Sequence, residues 1–208
     1  MDGWVRWLEG LRGAYERRMQ RMCRILDAGA HEIKTGHFVN SRADADWDVV
    51  TKTKLLDFSW PRGGMFIWLR VLFEKHPLWQ APIPNRSNTS GDATIDGPTL
   101  SIALLMFLTT KPYLIIVAPG SIFGATPAIR ADVAWAYYRL CFAAETDDNV
   151  DVSAKSFVEG LRRFWRIKSV AEIVKLAGSF PHGAAALDGS PSPDNLKEMG
   201  TMGTWFGC

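Results

Sequence analysis

The chain has 208 residues, of which 47% are hydrophobic and 22% charged, with 24 basic against 22 acidic side chains. A chain this long can bury roughly 70% of its unfolded surface without a disulfide or metal staple, and the composition excludes collagen-like, fibrous and wholly disordered classes. A net charge of +2 gives no field that would draw nucleic acid or a charged membrane.

Trp4, Leu8, Leu11, Tyr15, Met19, Met22 and Leu26 recur three or four residues apart. That is the period of one helix face, and Gly29 is a fitting stop. Six arginines fall within the first 24 residues. Interspersed with Glu9 and Glu16, they read as the solvated side of that helix, with an anion-binding face as the other possibility. Residues 30–54 are mixed and polar and suggest a connection with some helix around Ala43–Val50. Leu56–Trp60 alternates as a strand, Pro61-Arg62-Gly63-Gly64 is turn chemistry, and Met65–Val71 is a second strand. The pair makes a hairpin, or two strands around a bulge.

Residues 75–98 hold four prolines and read as a long surface loop. Pro98 opens a helix running to about Thr110. Tyr113–Ala118 is a short strand ended by Pro119-Gly120, and Tyr137–Ala143 is another. A last helix begins at Asn149 or Ser153 and buries Val158, Leu161, Phe164 and Trp165. From residue 178 to 208, six glycines and three prolines interrupt any period, which reads as a largely unfolded tail. The expected fold is α+β: a two-layer small domain over residues 1–177, with helices packed on a mainly antiparallel sheet, then a flexible tail over 178–208.

Cys23, Cys141 and Cys208 are far apart and odd in number. Cys23 and Cys141 sit in apolar-periodic segments and are expected to be buried free thiols, in a reducing, cytoplasmic setting rather than a disulfide framework. No secretory signal is read at the start, where Trp and Arg replace a continuous apolar run. The longest apolar stretch, Leu100–Leu108, is too short to span a bilayer. Nine tryptophans and eleven phenylalanines imply a dense core, or rings that face a surface outside this chain.

Arg139 is the most informative residue. On its strand Tyr138, Leu140 and Phe142 point one way and Tyr137, Cys141 and Ala143 share its own side. Neither face reads as solvated, and a guanidinium enclosed without a partner costs several kcal/mol, roughly. It therefore needs an anion, either a protein carboxylate or a ligand, and its planar fork suits a carboxylate.

Three segments, in order, resemble the C-terminal small domain of class I PLP-dependent aminotransferases of fold type I. They are Trp7-Leu8 through Tyr15-Glu16-Arg17-Arg18; Phe58-Ser59-Trp60-Pro61-Arg62-Gly63-Gly64-Met65-Phe66-Ile67-Trp68; and Val117-Ala118-Pro119-Gly120-Ser121-Ile122-Phe123-Gly124 with Tyr138-Arg139-Leu140-Cys141-Phe142-Ala143. The resemblance covers about residues 3–175 and is closest to the aromatic amino acid and α-aminoadipate branch. It implies amino-group transfer between an amino acid and a 2-oxo acid, pyridoxal 5'-phosphate as cofactor and a homodimeric parent. It also implies that Arg139 holds the substrate α-carboxylate.

The same resemblance implies a lysine that forms a Schiff base with the cofactor. None of the nine lysines has the serine-rich, arginine- and glycine-followed context that the family shows. No Gly-rich phosphate loop and no metal-spaced His/Cys set appears, and His31, His37, His76 and His182 default to surface or loop roles. The chain is thus expected to start inside a longer parent, to hold no cofactor or catalytic residue by itself, and not to catalyse alone. The alternatives are a non-catalytic ligand-binding or subunit-pairing module of that ancestry, or the effector domain of a regulator.

Overall fold

The computed structural model describes residues 2–38, 47–88, 91–124 and 126–180. Helix α1 (Asp2–Gly29) is followed by three hairpins: β1 (His31–Phe38) with β2 (Trp47–Lys54), β3 (Leu56–Phe58) with β4 (Phe66–Val71), and β5 (Pro82–Asn88) with β6 (Gly91–Thr94). Then come α2 (Gly97–Thr109), β7 (Ala118–Pro119), α3 (Pro127–Asp132), β8 (Tyr137–Cys141), α4 (Asp147–Phe164) and α5 (Val170–Gly178). The central sheet is antiparallel, in the order β3-β4-β8-β7. This is the α+β arrangement expected from the sequence.

Alternation along β4 and β8 decides which side of the sheet is core. Ile67, Leu69, Val71, Tyr138 and Leu140 are buried and join Met22, Leu26, Leu100, Leu104, Phe157 and Leu161 from the helices. Burying each such side chain stabilises the fold by about 1.5–3 kcal/mol. The intervening residues Trp68, Arg70 and Tyr137 stay exposed, so the sheet has a packed back and an open front. The helices start where their capping chemistry sits. Asp96 accepts from the Thr99 N–H at 2.8 Å, Thr146 from Asn149 at 3.3 Å and Ser169 from Glu172 at 3.3 Å, each satisfying an orphan donor of the first turn.

Several expectations need correction. The helix anticipated around 43–50 gives way, from Trp47, to a strand paired with β1, with Val50 opposite Thr35. Ile33 and Val50 are 63% and 61% exposed, so this hairpin does not turn every apolar side chain inward, which is why its sequence reads as a connection. Residues 39–46 lie outside the described set. The loop expected over 75–98 is largely structured: a 3-10 turn over Phe73–Lys75 and the β5–β6 hairpin occupy it, and Leu78 and Ile95 are core. The strand expected over Tyr113–Ala118 pairs only at Ala118 and Pro119. The chain's last described helix, α5, is a separate element after α4. The expected tail lies, from residue 181, outside the described residues.

The apolar stripe of α1 divides in two. Met22 and Leu26 are buried, Leu11, Tyr15 and Met19 half-buried, and Trp4 and Leu8 exposed. Three of the six early arginines serve neither anticipated role, because they bind α4. Arg17 and Arg18 each donate through Nε to Asp147, at 2.6 and 2.9 Å, and Arg21 grips both oxygens of Asp151 at 3.0 and 2.7 Å. The hydrogen bond from Arg17, followed by that from Arg18, lowers the Asp147 carboxyl to about 2. Among the described residues no helix is long and apolar enough to cross a membrane.

Candidate functional site: an arginine between two rings

Arg139 lies opposite Trp68 on one side and Ala118 on the other. Its side chain shares the open front of the sheet with Phe66, Trp68 and Tyr137. The guanidinium carbon is 4.1 Å from the ring centroid of Phe66 and 4.1 Å from that of Phe123. Both rings thus lie within cation–π distance of the guanidinium. Each contact of this kind contributes about 0.5–2 kcal/mol depending on desolvation. The N–H donors project in the guanidinium plane.

Among the described residues Arg139 makes no hydrogen bond and no ion pair. It lines a cleft of about 230 Å³ together with Phe66, Val117, Ala118, Cys141 and Glu145. The Glu145 carboxylate there accepts from the Asn149 amide at 3.0 Å and does not neutralise the arginine. The expectation of an enclosed cation is corrected: Arg139 is half-buried, because the front of the sheet is open. Aromatic faces and partial solvation replace the internal carboxylate that full enclosure would demand.

Both rings are held in place by backbone features. Gly64, at φ +85°, adopts the left-handed region that glycine tolerates, and it turns the chain into β4 just before Phe66. On the other side, Pro119 and Gly120 lead into a 3-10 turn over Gly120–Phe123. A Cβ on Gly120 would lie 2.6 Å from the Ala134 carbonyl oxygen, so only glycine lets this turn sit against the start of β8. Phe123 then reaches over Arg139 and meets Trp68 edge-on, with centroids 5.3 Å apart. Trp60, in the β3–β4 connection, anchors that loop to α1 by donating to Asp27 at 2.7 Å.

Phe66 and Phe123 were not singled out by sequence reasoning. They are 57 positions apart, and both read as core or turn residues. The usable signal was the motif context of each, a Gly-Gly before Phe66 and a Pro-Gly before Phe123. Neither His31 nor His76 lines the cleft. His76 is buried instead of lying at the surface: its Nδ1 accepts from the Leu78 N–H at 3.1 Å, and Nε2 donates to the Phe164 carbonyl at 3.3 Å. Burial lowers its pKa, opposed by that backbone contact.

Among the described residues no lysine lines the cleft. Lys52, Lys75, Lys111, Lys155, Lys168 and Lys175 are exposed, and Lys54 pairs with Asp57 at 2.6 Å. Lys34 and Lys197 have no described side chain. The described residues therefore do not fit pyridoxal phosphate, which needs an amine within the site and a cradle for its phosphate. Among the described residues no cluster of three or more His, Cys, Asp or Glu side chains could hold a metal ion.

No family model and no curated protein matches the chain. A solved structure similar to it is LysN, an α-aminoadipate aminotransferase from Thermus thermophilus, complexed with N-(5'-phosphopyridoxyl)-L-leucine. The two are 16% identical over 78% of this chain, with a TM-score of 0.43. The chain spans 28% of the length of that protein.

Proposed function

We propose that Arg139 is a carboxylate receptor, and that the chain is the substrate-carboxylate-binding small domain of an aminotransferase of the PLP-dependent class. In that reading it grips the α-carboxylate of an amino acid or 2-oxo acid, and the Schiff-base lysine and cofactor belong to a large domain not present here. The observation that carries the reading is the half-buried guanidinium, 4.1 Å from two ring centroids and without a hydrogen-bond or ion-pair partner among the described residues. That is the state in which a fork accepts two parallel hydrogen bonds from a carboxylate. The cleft volume of about 230 Å³ falls below the roughly 300–1,000 Å³ of complete ligand pockets. It accommodates a headgroup and leaves the remainder of the ligand to a second surface. The exposed rings of Trp68 and Phe123 beside it favour an aromatic or long apolar ligand.

Titration calorimetry and ¹⁵N-detected NMR with aromatic amino acids and their 2-oxo acids test this. Expected is weak, saturable binding that is lost in Arg139→Ala and reduced at least tenfold in Arg139→Lys, with the fold unchanged. Binding that persists in Arg139→Ala sinks the reading. Added pyridoxal phosphate should give no stoichiometric borohydride-reducible adduct. Such an adduct would show that a lysine of this chain does hold the cofactor.

A further inference from the structure

The cleft at Arg139 holds two opposite charges that do not meet. Among the described residues that line it, Arg139 and Glu145 alone are charged, and the rest are apolar except Cys141 and Ser153. In a space of about 230 Å³ two such side chains would ordinarily close into an ion pair. Here each is held by a neutral neighbour instead. The guanidinium lies 4.1 Å from the ring centroids of Phe66 and Phe123. Glu145 immediately precedes Thr146, the N-cap of α4, and its carboxylate accepts through Oε2 from the Asn149 amide at 3.0 Å. Neither charge has an opposite charge as its partner among the described residues.

We infer that Glu145 is a specificity-determining residue of this cleft: it takes the α-ammonium of a ligand whose α-carboxylate is held by Arg139, so the site selects amino acids over acids that lack the amine. The inference rests on the reading of Arg139 as a carboxylate receptor. Its argument is charge complementarity. An α-amino acid carries its two opposite charges one bond either side of the α-carbon, and a compact pair of that kind suits a small cleft with one cation and one anion in its wall. A 2-oxo acid presents a carbonyl oxygen where the ammonium would be. An ionised carboxylate only accepts hydrogen bonds, and so does a carbonyl, so Glu145 has nothing to offer the oxo form. A ligand with a second acid group on that side meets the same oxygens and is repelled.

Glu145 is exposed, so its contact with an ammonium is worth only what a solvated ion pair is worth, a factor of up to about five in affinity. Salt should erode that advantage, because exposed charges are screened. The carboxylate grip at Arg139 sets whether a ligand binds, and Glu145 sets which of two otherwise similar ligands binds better.

The test compares L-phenylalanine with 3-phenylpropionate, which differs from it by the missing amine, on the full 208-residue chain and on Glu145→Gln, by titration calorimetry at low and high salt. Glutamine keeps an oxygen for the Asn149 amide, so the variant removes the charge and leaves the local fold. Expected is a three- to fivefold preference for L-phenylalanine in the parent chain at low salt, smaller at high salt. In Glu145→Gln the ratio should fall to about one, with 3-phenylpropionate bound no more weakly than before. Equal affinities in the parent chain, or a preference that survives in Glu145→Gln, overturn the role of Glu145 and leave the receptor reading of Arg139 standing. If neither ligand binds, or if both bind undiminished in Arg139→Ala, the receptor reading fails and the role of Glu145 falls with it.

Discussion

Tyr138 is fully buried, and its hydroxyl meets Ser101 twice: it donates to the Ser101 carbonyl at 3.0 Å and contacts the Ser101 hydroxyl at 2.8 Å. Because the phenol proton goes to the carbonyl, the serine hydroxyl is the donor in the second bond. The pair pins β8 to α2 and so fixes which residues of β8 face forward. In Tyr138→Phe the loss is expected to be about 1–2 kcal/mol, a fall in Tm of a few degrees at about 2–4 °C per kcal/mol. The carboxylate binding proposed at Arg139 should change less than about twofold, because side-chain alternation survives. Thermal melts and calorimetry on the same variant check both halves.

Phe66 and Phe123 should act on affinity more than on stability. Removing one aromatic face from Arg139 forfeits about 0.5–1 kcal/mol at a half-open site. Phe123→Leu is therefore expected to weaken carboxylate binding two- to fivefold, with Tm little changed. Phe66→Leu should match it, and the double variant should weaken binding further. An unaltered Kd in the double variant would show that the stacking is incidental.

Gly120→Ala should affect both properties together. The added methyl meets the Ala134 carbonyl and Tyr137 Cβ at 2.6 and 2.9 Å, neither of which is the end of a flexible side chain. Overpacking of this sort costs about 1–3 kcal/mol, and relief requires the 120–123 turn to move, taking Phe123 with it. A lowered Tm without any loss of binding would mean that the turn shifts as a unit and keeps its ring in place.

Acid should act in two stages. His76 is held neutral by burial, so its folded pKa lies below the ordinary value of 6.5. Its contribution is complete above about pH 6.5 and falls away below it, as the unfolded chain takes up a proton that the folded chain refuses. Asp147 is lowered from 3.8 to about 2, so its contribution is complete above about pH 4 and is lost between there and pH 2. Urea unfolding across pH 2–8 should show both limbs. Asp147→Asn is expected to flatten the lower one only, and His76→Gln the upper one only.

The legible parts of the sequence were those with one buried face. Phe66–Val71 and Tyr137–Cys141 alternate because the back of the sheet is core and the front is not, and α4 shows its buried side at Val158, Leu161 and Phe164 for the same reason. The β1–β2 hairpin escaped because exposed Ile33 and Val50 break the pattern that marks a strand. Leu78, Ile95 and His76 escaped because isolated buried residues in a Pro-rich stretch carry no period. Arg139 was visible as a cation among apolar neighbours. Its two aromatic partners depend on long-range pairing, which no local spacing reveals.

The two-sidedness of β8 separates two kinds of change. Even-numbered positions, Tyr138 and Leu140, are committed to the interior, where a substitution alters folding first. Odd-numbered positions, Tyr137, Arg139 and Cys141, line the open surface with Phe66 and Trp68. Variation there leaves the scaffold standing, so if the front of the sheet holds the proposed ligand, its preference should diversify along every second residue of the strand.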